Sequence, residues 1–260
     1  MLAIKLMRSH VFPLISPFKS IVKSYVSRRR ETLRFDSSFA GKNVVIVGPC
    51  ATFGDELYNK VIQSDVLAFV NKGHRSALFH KLKPMAKKII LFHCLDFSEL
   101  TGGGEICSHD LRRKGISEIY YPLSEERFSR NIADFHKLNS TFLKLYRIDQ
   151  FSYGKLKASV GGFTPNTGYA AIWMIVHGGC SELYVSGINF MRLPYAVDYH
   201  DHIQNHSEAI KLIESYGNHN PDLDLESFRQ LCLSHNILVD EDLSHILNQP
   251  IKPIFYQDIG

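Results

Sequence analysis

The sequence predicts an α/β domain with a mostly parallel central sheet. Its apolar, β-branched runs are continuous rather than alternating, which is typical of strands buried on both faces, and helical or looped segments separate them. With 260 residues, 45% of them hydrophobic, the chain is long enough for one sizeable domain plus an appendage. The predicted strands are Lys42–Gly48, Asp65–Lys72, Lys88–His93, Ile116–Tyr121, Glu182–Val185 and Asn236–Asp240.

A basic arm precedes the first strand. Residues 1–30 hold seven Lys or Arg and no acid, whereas the whole chain has a net charge of +4, so the rest is slightly acidic and does not resemble a nucleic-acid-binding body. Phe18, Ile21, Val22, Tyr25 and Val26 form an apolar stripe between the cations, which predicts a helix lying on an anionic membrane surface. A helix packed on the domain and a disordered arm are the alternatives.

Targeting and cysteine signals are sparse. The arm does not read as a secretory signal, and no run reaches the roughly 18–20 apolar residues needed to span a bilayer. The five cysteines are scattered and form no CxxC pair, which favours reduced thiols in the cytoplasm over a zinc site or a disulfide framework. We therefore expect a cytoplasmic protein, peripheral on the inner face of the membrane. The sequence leaves homo-oligomerisation open.

The strands Lys42–Gly48 and Asp65–Lys72 both end in residues suited to a ligand. In open α/β sheets, ligands bind beyond the carboxyl ends of the strands. Gly48 leads into the turn Pro49-Cys50, and the second strand delivers Asn71, whose amide can hydrogen-bond a pyrimidine or a ribose. A turn-forming asparagine is the alternative at that position.

The central stretch, residues 161–190, has three parts. A polar turn, Thr164–Gly168, precedes an apolar helix from Tyr169 to Val176, and a strand follows that ends in Ser186-Gly187. We expect Thr167 to cap the helix. Because free N–H groups and the positive end of the helix dipole point the same way, such a turn can cradle a phosphate. An ordinary capped core helix is the alternative.

After this stretch, residues 191–218 lack a strong period and are rich in His, Tyr and Asn. We interpret them as an active-site lid. His200 and His202 lie here, but their i, i+2 spacing does not complete a zinc site, and we expect no metal. His219 follows the lid and precedes a helix predicted from Leu225 to Ser234.

The central turn, Thr164-Pro165-Asn166-Thr167-Gly168, with the later Glu182–Phe190 segment, resembles the S motif of sialyltransferases. It is similar to the Pro-Ser-Thr-Gly form of the animal enzymes and to the Thr-Ser-Gly form of the bacterial lipo-oligosaccharide enzymes. In that family the turn holds the phosphate of CMP-sialic acid. The resemblance implies a Rossmann-like glycosyltransferase fold, here a domain over residues 41–260 behind an arm and linker over residues 1–40.

Other segments resemble the family in the same order. Asn71 matches the end of the L motif, and Gly48 lies in a loop similar to the first nucleotide loop, although Pro49-Cys50 replaces the usual Asn-Gly. His219 and Asp224 match the last motif, in which the histidine is the general base. Tyr216 matches a tyrosine that the bacterial enzymes carry three residues before it.

The lid departs from the family at one position. The bacterial enzymes often carry a tyrosine where this chain has Met191, which removes one phosphate donor; Arg192 or Tyr199 can compensate. Tyr195, like Tyr216, can donate a phenolic hydrogen bond to the phosphate, which makes a metal unnecessary. His200, His202 and His206 in the lid are competing candidates for the base.

The resemblance implies an inverting transfer of sialic acid from CMP-sialic acid to a glycan or glycolipid hydroxyl, as in lipopolysaccharide biosynthesis, with no cofactor beyond the CMP-sugar donor. A transferase using CMP-Kdo or another CMP-nonulosonate is one alternative, and a non-catalytic nucleotide- or glycan-binding protein at the membrane is another. The candidate catalytic residues are His219 and Asp224; the candidate substrate-binding residues are Gly48, Cys50, Asn71, Thr164, Asn166, Thr167, Gly168, Ser186, Gly187, Tyr195 and Tyr216.

Overall fold

The structure, a computed structural model, describes residues 33–34, 37–99, 103–124, 129–138, 143–195, 199, 205, 207–208, 210–211, 214 and 218–251. The arm, Tyr216 and the lid histidines His200, His202 and His206 lie outside the described residues. The elements that follow residue 34 all belong to the unit Arg34–Gly260. The boundary predicted at residue 41 stays a prediction.

Among the described residues, seven strands pair in parallel in the order β6-β5-β4-β3-β2-β7-β8. A short strand, β1 (Leu33–Arg34), precedes them in the chain. The seven strands are β2 (Asn43–Val47), β3 (Val66–Val70), β4 (Ile89–Phe92), β5 (Ile116–Tyr121), β6 (Lys144–Arg147), β7 (Glu182–Ser186) and β8 (Ile237–Val239).

The strand order reverses at β2. The chain runs outward from β2 through β3 to β6, and then returns to place β7 on the other side of β2, in register from Asn43 opposite Glu182 to Val47 opposite Ser186. In open α/β sheets this switch point, beyond the carboxyl ends of the strands, is where ligands bind. The predicted α/β class with a mostly parallel sheet is confirmed.

Helices connect the successive strands and one more follows the last strand; the helix in the middle of the chain is enclosed. Its residues from Tyr169 to Val176 are all buried, as expected for a helix that is apolar on every side, and it packs against β3 and β4. The helices are α1 (Asp55–Gln63), α2 (Ala77–Leu82), α3 (Ser108–Arg113), α4 (Ser129–Leu138), α5 (Gln150–Ser159), α6 (Thr167–His177), α7 (Pro221–Ser234) and α8 (Glu241–Leu247), with 3₁₀ turns at Asn71–Arg75 and Lys83–Met85.

Two elements differ from the prediction. β6 was missed because only Leu145 of its four residues is buried, and Lys144 and Arg147 break the apolar pattern. Helix α7 begins at Pro221 rather than Leu225, because Asn220 caps it and proline is well tolerated in the first turn. Of the helices in the described part of the chain, none is long and apolar enough to cross a membrane.

Candidate functional site

The loops after β2 and β7 meet backbone to backbone at the switch point. The Gly48 N–H donates to the Ser186 carbonyl at 2.8 Å, and the Cys50 N–H donates to the Gly187 carbonyl at 3.0 Å. A Cβ on Gly48 would lie 2.4 Å from the Gly187 oxygen, and a Cβ on Gly187, whose φ is 70°, would lie 2.0 Å from the Ala51 nitrogen. The structure therefore brings together Gly48, Cys50, Ser186 and Gly187.

Helix α6 begins beside this contact, with Asn166 as its cap. The Asn166 Oδ1 accepts from the Tyr169 N–H at 2.8 Å, and the residue has the extended backbone of a cap, with φ −67° and ψ 156°. The prediction that Thr167 caps the helix was wrong: Thr167 is already the first helical residue. Asparagine and threonine both cap helices well, so the turn sequence alone did not decide between them.

The turn before α6 is bonded to the turn before α7. The Thr164 N–H donates to the Asn218 carbonyl at 2.9 Å, and His219 Nδ1 donates to the Thr164 carbonyl at 2.7 Å. A backbone N–H and a side-chain amide of Asn166 both donate to Asp224 Oδ2. Two predicted site segments, far apart in the chain, thus form one unit at the N-terminal ends of two helices.

The contact with Thr164 fixes the tautomer of His219. A carbonyl oxygen only accepts hydrogen bonds, so Nδ1 of the ring carries the proton that it donates. In the neutral ring the basic lone pair is then on Nε2. This arrangement orients a histidine for proton transfer through Nε2.

Asp224, in the first turn of α7, is 1% exposed. Burial raises the pKa of its carboxyl group to about 7, against the opposing hydrogen bonds from Asn166. Its Oδ1 atom is buried and has no hydrogen-bond partner among the described residues. The described contacts of the carboxylate therefore join it to the cap of α6.

A second group of polar side chains lies beyond the ends of β2, β3 and β4. The Asn71 Oδ1 accepts from the Cys94 N–H at 3.1 Å, and the Asn71 amide is hydrogen-bonded to the Tyr199 hydroxyl. The Tyr199 ring stacks on Tyr195 at 5.2 Å between centroids, and the Tyr195 hydroxyl donates to the Met191 sulfur at 3.3 Å. Met191, which replaces the tyrosine of the bacterial enzymes, therefore contacts the next predicted phosphate donor.

Cys50 contributes a neutral group to this region. Burial raises the pKa of its thiol to about 12, against the opposing hydrogen bond from Asn189, so the thiol stays protonated at neutral pH. A thiol is only a weak hydrogen-bond donor. Arg192, the other residue considered as a replacement phosphate donor, forms an ion pair with Asp222 in the first turn of α7.

Backbone strain is concentrated at this edge of the sheet. Among the described residues, four that are not glycine have a positive φ: Asn71 at 48°, Leu95 at 54°, Phe190 at 51° and Met191 at 60°. Each follows the carboxyl end of β3, β4 or β7. Such conformations are unfavourable for side chains with a Cβ and cluster at functional sites.

A pocket of about 180 Å³ lies at the carboxyl ends of β2 and β3. Ile188 lies next to both the pocket and the start of α6, because a Cβ added to Gly48, in the pocket wall, or to Gly168, in α6, would contact Ile188 at 2.5 or 3.2 Å. Sequence reasoning missed Lys72 in this wall; its position beside Asn71 at a strand end was the available signal. The described lining residues are Val47, Gly48, Pro49, Ala51, Phe69, Lys72, Gly73, Ser76, Ala77, Leu78 and Tyr199.

Within the described residues, no group of three His, Cys, Asp or Glu side chains is placed to hold a metal ion. The lid histidines and Tyr216 are outside that search. Their predicted roles stay predictions.

Several solved structures of sialyltransferases are similar to this chain. The monofunctional alpha-2,3-sialyltransferase Cst-I from Campylobacter jejuni aligns with a TM-score of 0.51 and 13% identity, over 85% of this chain and 86% of that chain. The chain has a sialyltransferase fold. The sialyltransferase CstII from the same organism, in complex with the substrate analogue CMP-3FNeuAc, aligns over 81% of this chain and 90% of that chain, with 15% identity and a TM-score of 0.45. No protein-family model and no curated protein matches the chain.

The sialyltransferase fold confirms the Rossmann-like architecture expected from the S-motif resemblance. At 13% identity it bears on the fold, whereas the role of each site residue depends on the geometry described above.

Proposed function

We propose that this protein is an inverting glycosyltransferase that moves sialic acid from CMP-sialic acid to a glycan hydroxyl. The observation that carries the proposal is the hydrogen bond from His219 Nδ1 to the Thr164 carbonyl. It supports a base on Nε2 next to the turn that resembles the phosphate-binding S motif. The sialyltransferase fold agrees with this assignment.

In this proposal, the start of α6 binds the phosphate of the donor. Thr164, Asn166, Thr167 and Gly168 surround a helix N-terminus, where backbone N–H groups and the dipole favour negative charge. Charge develops on that phosphate as the bond to the sugar breaks. Fixed donors at the helix end stabilise it without a metal.

His219 then acts as the general base. An acceptor hydroxyl is a poor nucleophile at neutral pH, and Nε2 takes its proton as the new C–O bond forms. Asp224 is a positioning residue, because its carboxylate binds Asn166 and so fixes α6 relative to α7. Phosphate binding by Tyr216 and exclusion of water by the lid are further parts of the proposal, and they concern residues that lie mostly outside the described part of the chain.

The pocket beyond β2 and β3 binds the nucleoside. Gly48, Cys50, Asn71 and Tyr195 lie in or beside its wall at the switch point, where α/β sheets bind nucleotides. The nucleotide site alone does not select among CMP-activated sugar acids. CMP-Kdo and other CMP-nonulosonates differ in the sugar, but they share with CMP-sialic acid the nucleotide and the class of 2-keto sugar acid, and Kdo itself is an eight-carbon member of that class.

Two observations favour a second candidate, a non-catalytic nucleotide- or glycan-binding protein. Pro49-Cys50 replaces the Asn-Gly of the family, and the Cys50 thiol is neutral and only a weak donor. Met191 stands in place of a phosphate donor and accepts the hydrogen bond of the Tyr195 hydroxyl. Both changes reduce the number of groups available to the phosphate.

We also propose a cellular setting. The arm of residues 1–30 holds the protein on the cytoplasmic face of the membrane, where a glycolipid acceptor of lipopolysaccharide biosynthesis would be available.

A donor panel tests the proposed function. The full chain is incubated with CMP-sialic acid, CMP-Kdo and UDP-N-acetylglucosamine, each with and without a glycolipid acceptor, and CMP or UDP release is measured. Acceptor-dependent release of CMP alone supports the transferase. Binding of CMP without release supports the non-catalytic candidate, and UDP release removes both.

A further inference from the structure

Lys72 is a buried cation in the wall of the pocket beyond β2 and β3. The residue is 7% exposed and follows Asn71 at the end of β3. It carries the only ionisable charge among the described lining residues, since burial raises the pKa of Tyr199 and keeps that phenol neutral. A buried ammonium needs compensation, so its partners indicate what it does.

The compensation that Lys72 receives is partial. Its Nζ donates to the backbone carbonyl of Glu99 at 2.6 Å, but lies 3.4 Å from the Glu99 Oε2. The Glu99 carboxylate is held by other donors: Arg75 Nη1 at 3.0 and 3.1 Å, and the Glu105 N–H at 2.9 Å. These contacts lower the pKa of Glu99 to about 2, and the hydrogen bond from the Glu105 N–H has the largest effect.

Two cations therefore share one carboxylate next to the pocket, which leaves an excess of one positive charge. The stem of Lys72 is fixed by close packing: a Cβ on Gly104, whose φ is 70°, would lie 3.1 Å from two of its carbons. Because Glu99 keeps Arg75 and Glu105 as partners, an anion that replaces the carboxylate at Lys72 leaves no charge unpaired.

We propose that Lys72 recognises an anionic group of the CMP-sugar donor, and that this group displaces the Glu99 carboxylate from it. The inference rests on the proposed function and adds to the site Lys72, which directly follows Asn71 in the chain. The group that binds Lys72 at the pocket wall would be an oxygen that carries a single negative charge. The donor offers two such groups, the phosphate and the carboxylate of the sugar acid.

The test compares binding of cytidine, CMP and a non-transferable CMP-sialic acid analogue by titration calorimetry. Lys72→Met keeps the apolar stem and removes the charge. Lys88→Met is the matched control, because Lys88 also pairs with a carboxylate, that of Glu118, at 2.7 Å. Lys88 directly precedes β4 and so lies at the amino ends of the strands, away from the pocket. We expect Lys72→Met to weaken CMP roughly ten- to a hundred-fold, as for loss of one charged hydrogen bond, with cytidine unchanged.

The pattern of losses identifies the anion. Weaker CMP points to the phosphate, whereas a loss confined to the analogue points to the carboxylate. Equal loss for cytidine and CMP, or no loss for any ligand, overturns the inference. If the wild type binds CMP but Lys72→Met binds it equally well, only the inference about Lys72 is overturned and the proposed function stands. If the wild type binds neither cytidine, CMP nor the analogue, the proposed function is overturned as well.

A second variant separates ligand recognition from structural support. Glu99→Gln retains an oxygen for the Glu105 N–H but removes the competing charge at Lys72. An anion site predicts tighter CMP binding in this variant and weaker binding in Lys72→Met. If the ion pair between Lys72 and Glu99 only stabilises the local structure, both variants should weaken CMP binding and lower the melting temperature, and that result overturns the inference.

Discussion

Asn166 directs its backbone N–H and its side-chain amide to one oxygen of Asp224, 58 residues later in the chain, while the other oxygen of that carboxylate is buried and has no hydrogen-bond partner in the described part of the chain. One charged residue thus joins the starts of α6 and α7. Because only half of the carboxylate is satisfied, its protonation affects the stability of the fold.

The first prediction is a pH dependence due to Asp224. The pKa of this group is about 7 in the folded protein and near 4 in the unfolded chain, so between these values the folded state keeps a proton that the unfolded state has lost. Stability from this group is present at low pH and is lost as pH rises to about 7. The free energy of unfolding should therefore fall between pH 5 and pH 8, and Asp224→Asn should remove the part of this fall that is due to Asp224. Urea denaturation at each pH measures it.

Asp149→Asn is the control for this experiment. Asp149 caps α5, and its pKa is lowered, with the Ser152 and Phe151 N–H groups overcoming the effect of burial. It is ionised at both pH values, so its loss should lower stability equally at each. An Asp224→Asn variant with the wild-type pH slope would contradict the buried-carboxylate assignment.

The second prediction concerns His219 as the general base. His219→Ala should keep CMP binding and the fold, and lose turnover by at least about two powers of ten, because general-base catalysis contributes roughly a hundred- to ten-thousand-fold. The measurement is the initial rate of CMP release with donor and acceptor. Near-normal turnover, with His202→Ala or His206→Ala inactive, would move the base to the lid.

The third prediction is nucleotide selectivity. We expect CMP to bind more tightly than UMP or GMP in titration calorimetry, because the pocket beyond β2 and β3 offers hydrogen-bonding groups to a pyrimidine edge and the start of α6 offers N–H groups to a phosphate. Gly168→Pro would remove one of those N–H groups at a position in the first helical turn, and should weaken CMP more than cytidine. Equal binding of all three nucleotides would argue against a CMP-sugar enzyme.

The fourth prediction concerns the backbone contact at the switch point. Gly187→Ala forces a Cβ against the Ala51 nitrogen at 2.0 Å and should lower the free energy of unfolding by about 1–3 kcal/mol or more. Gly154→Ala, in α5 with open space around its Cβ, is the matched control and should stabilise the fold by roughly 0.5–1 kcal/mol. Chemical denaturation measures both, and equal effects would contradict the close contact.

The fifth prediction concerns the arm. Its seven cations and the apolar stripe from Phe18 to Val26 predict binding to anionic liposomes that weakens with salt. Removal of residues 1–30 should abolish co-sedimentation and leave the domain folded. Truncated protein that still sediments with liposomes would place the membrane contact on the domain.

The sequence allowed six strands of the parallel sheet to be predicted, because their apolar runs reflect burial on both faces. β6 was not predicted, because Lys144 and Arg147 at its ends interrupt the apolar pattern. The positive φ angles of Phe190 and Met191 had no signal in residue type, because neither residue favours that conformation. The pairing of Asn166 with Asp224 depends on how two helices meet in space, and Lys72 looked like an ordinary surface lysine.

The position of β7 beside β2 has a consequence for synthesis of the chain. Strands β2 to β6 emerge from the ribosome in the order in which they pair, but one edge of β2 waits for β7, and the turn that binds His219 waits longer still for α7. Pairings between distant segments form slowly, and an open strand edge invites aggregation. The nascent protein therefore carries a central strand with one open edge until most of its length has been translated, and the contact between His219 and Thr164 forms among its last steps of folding.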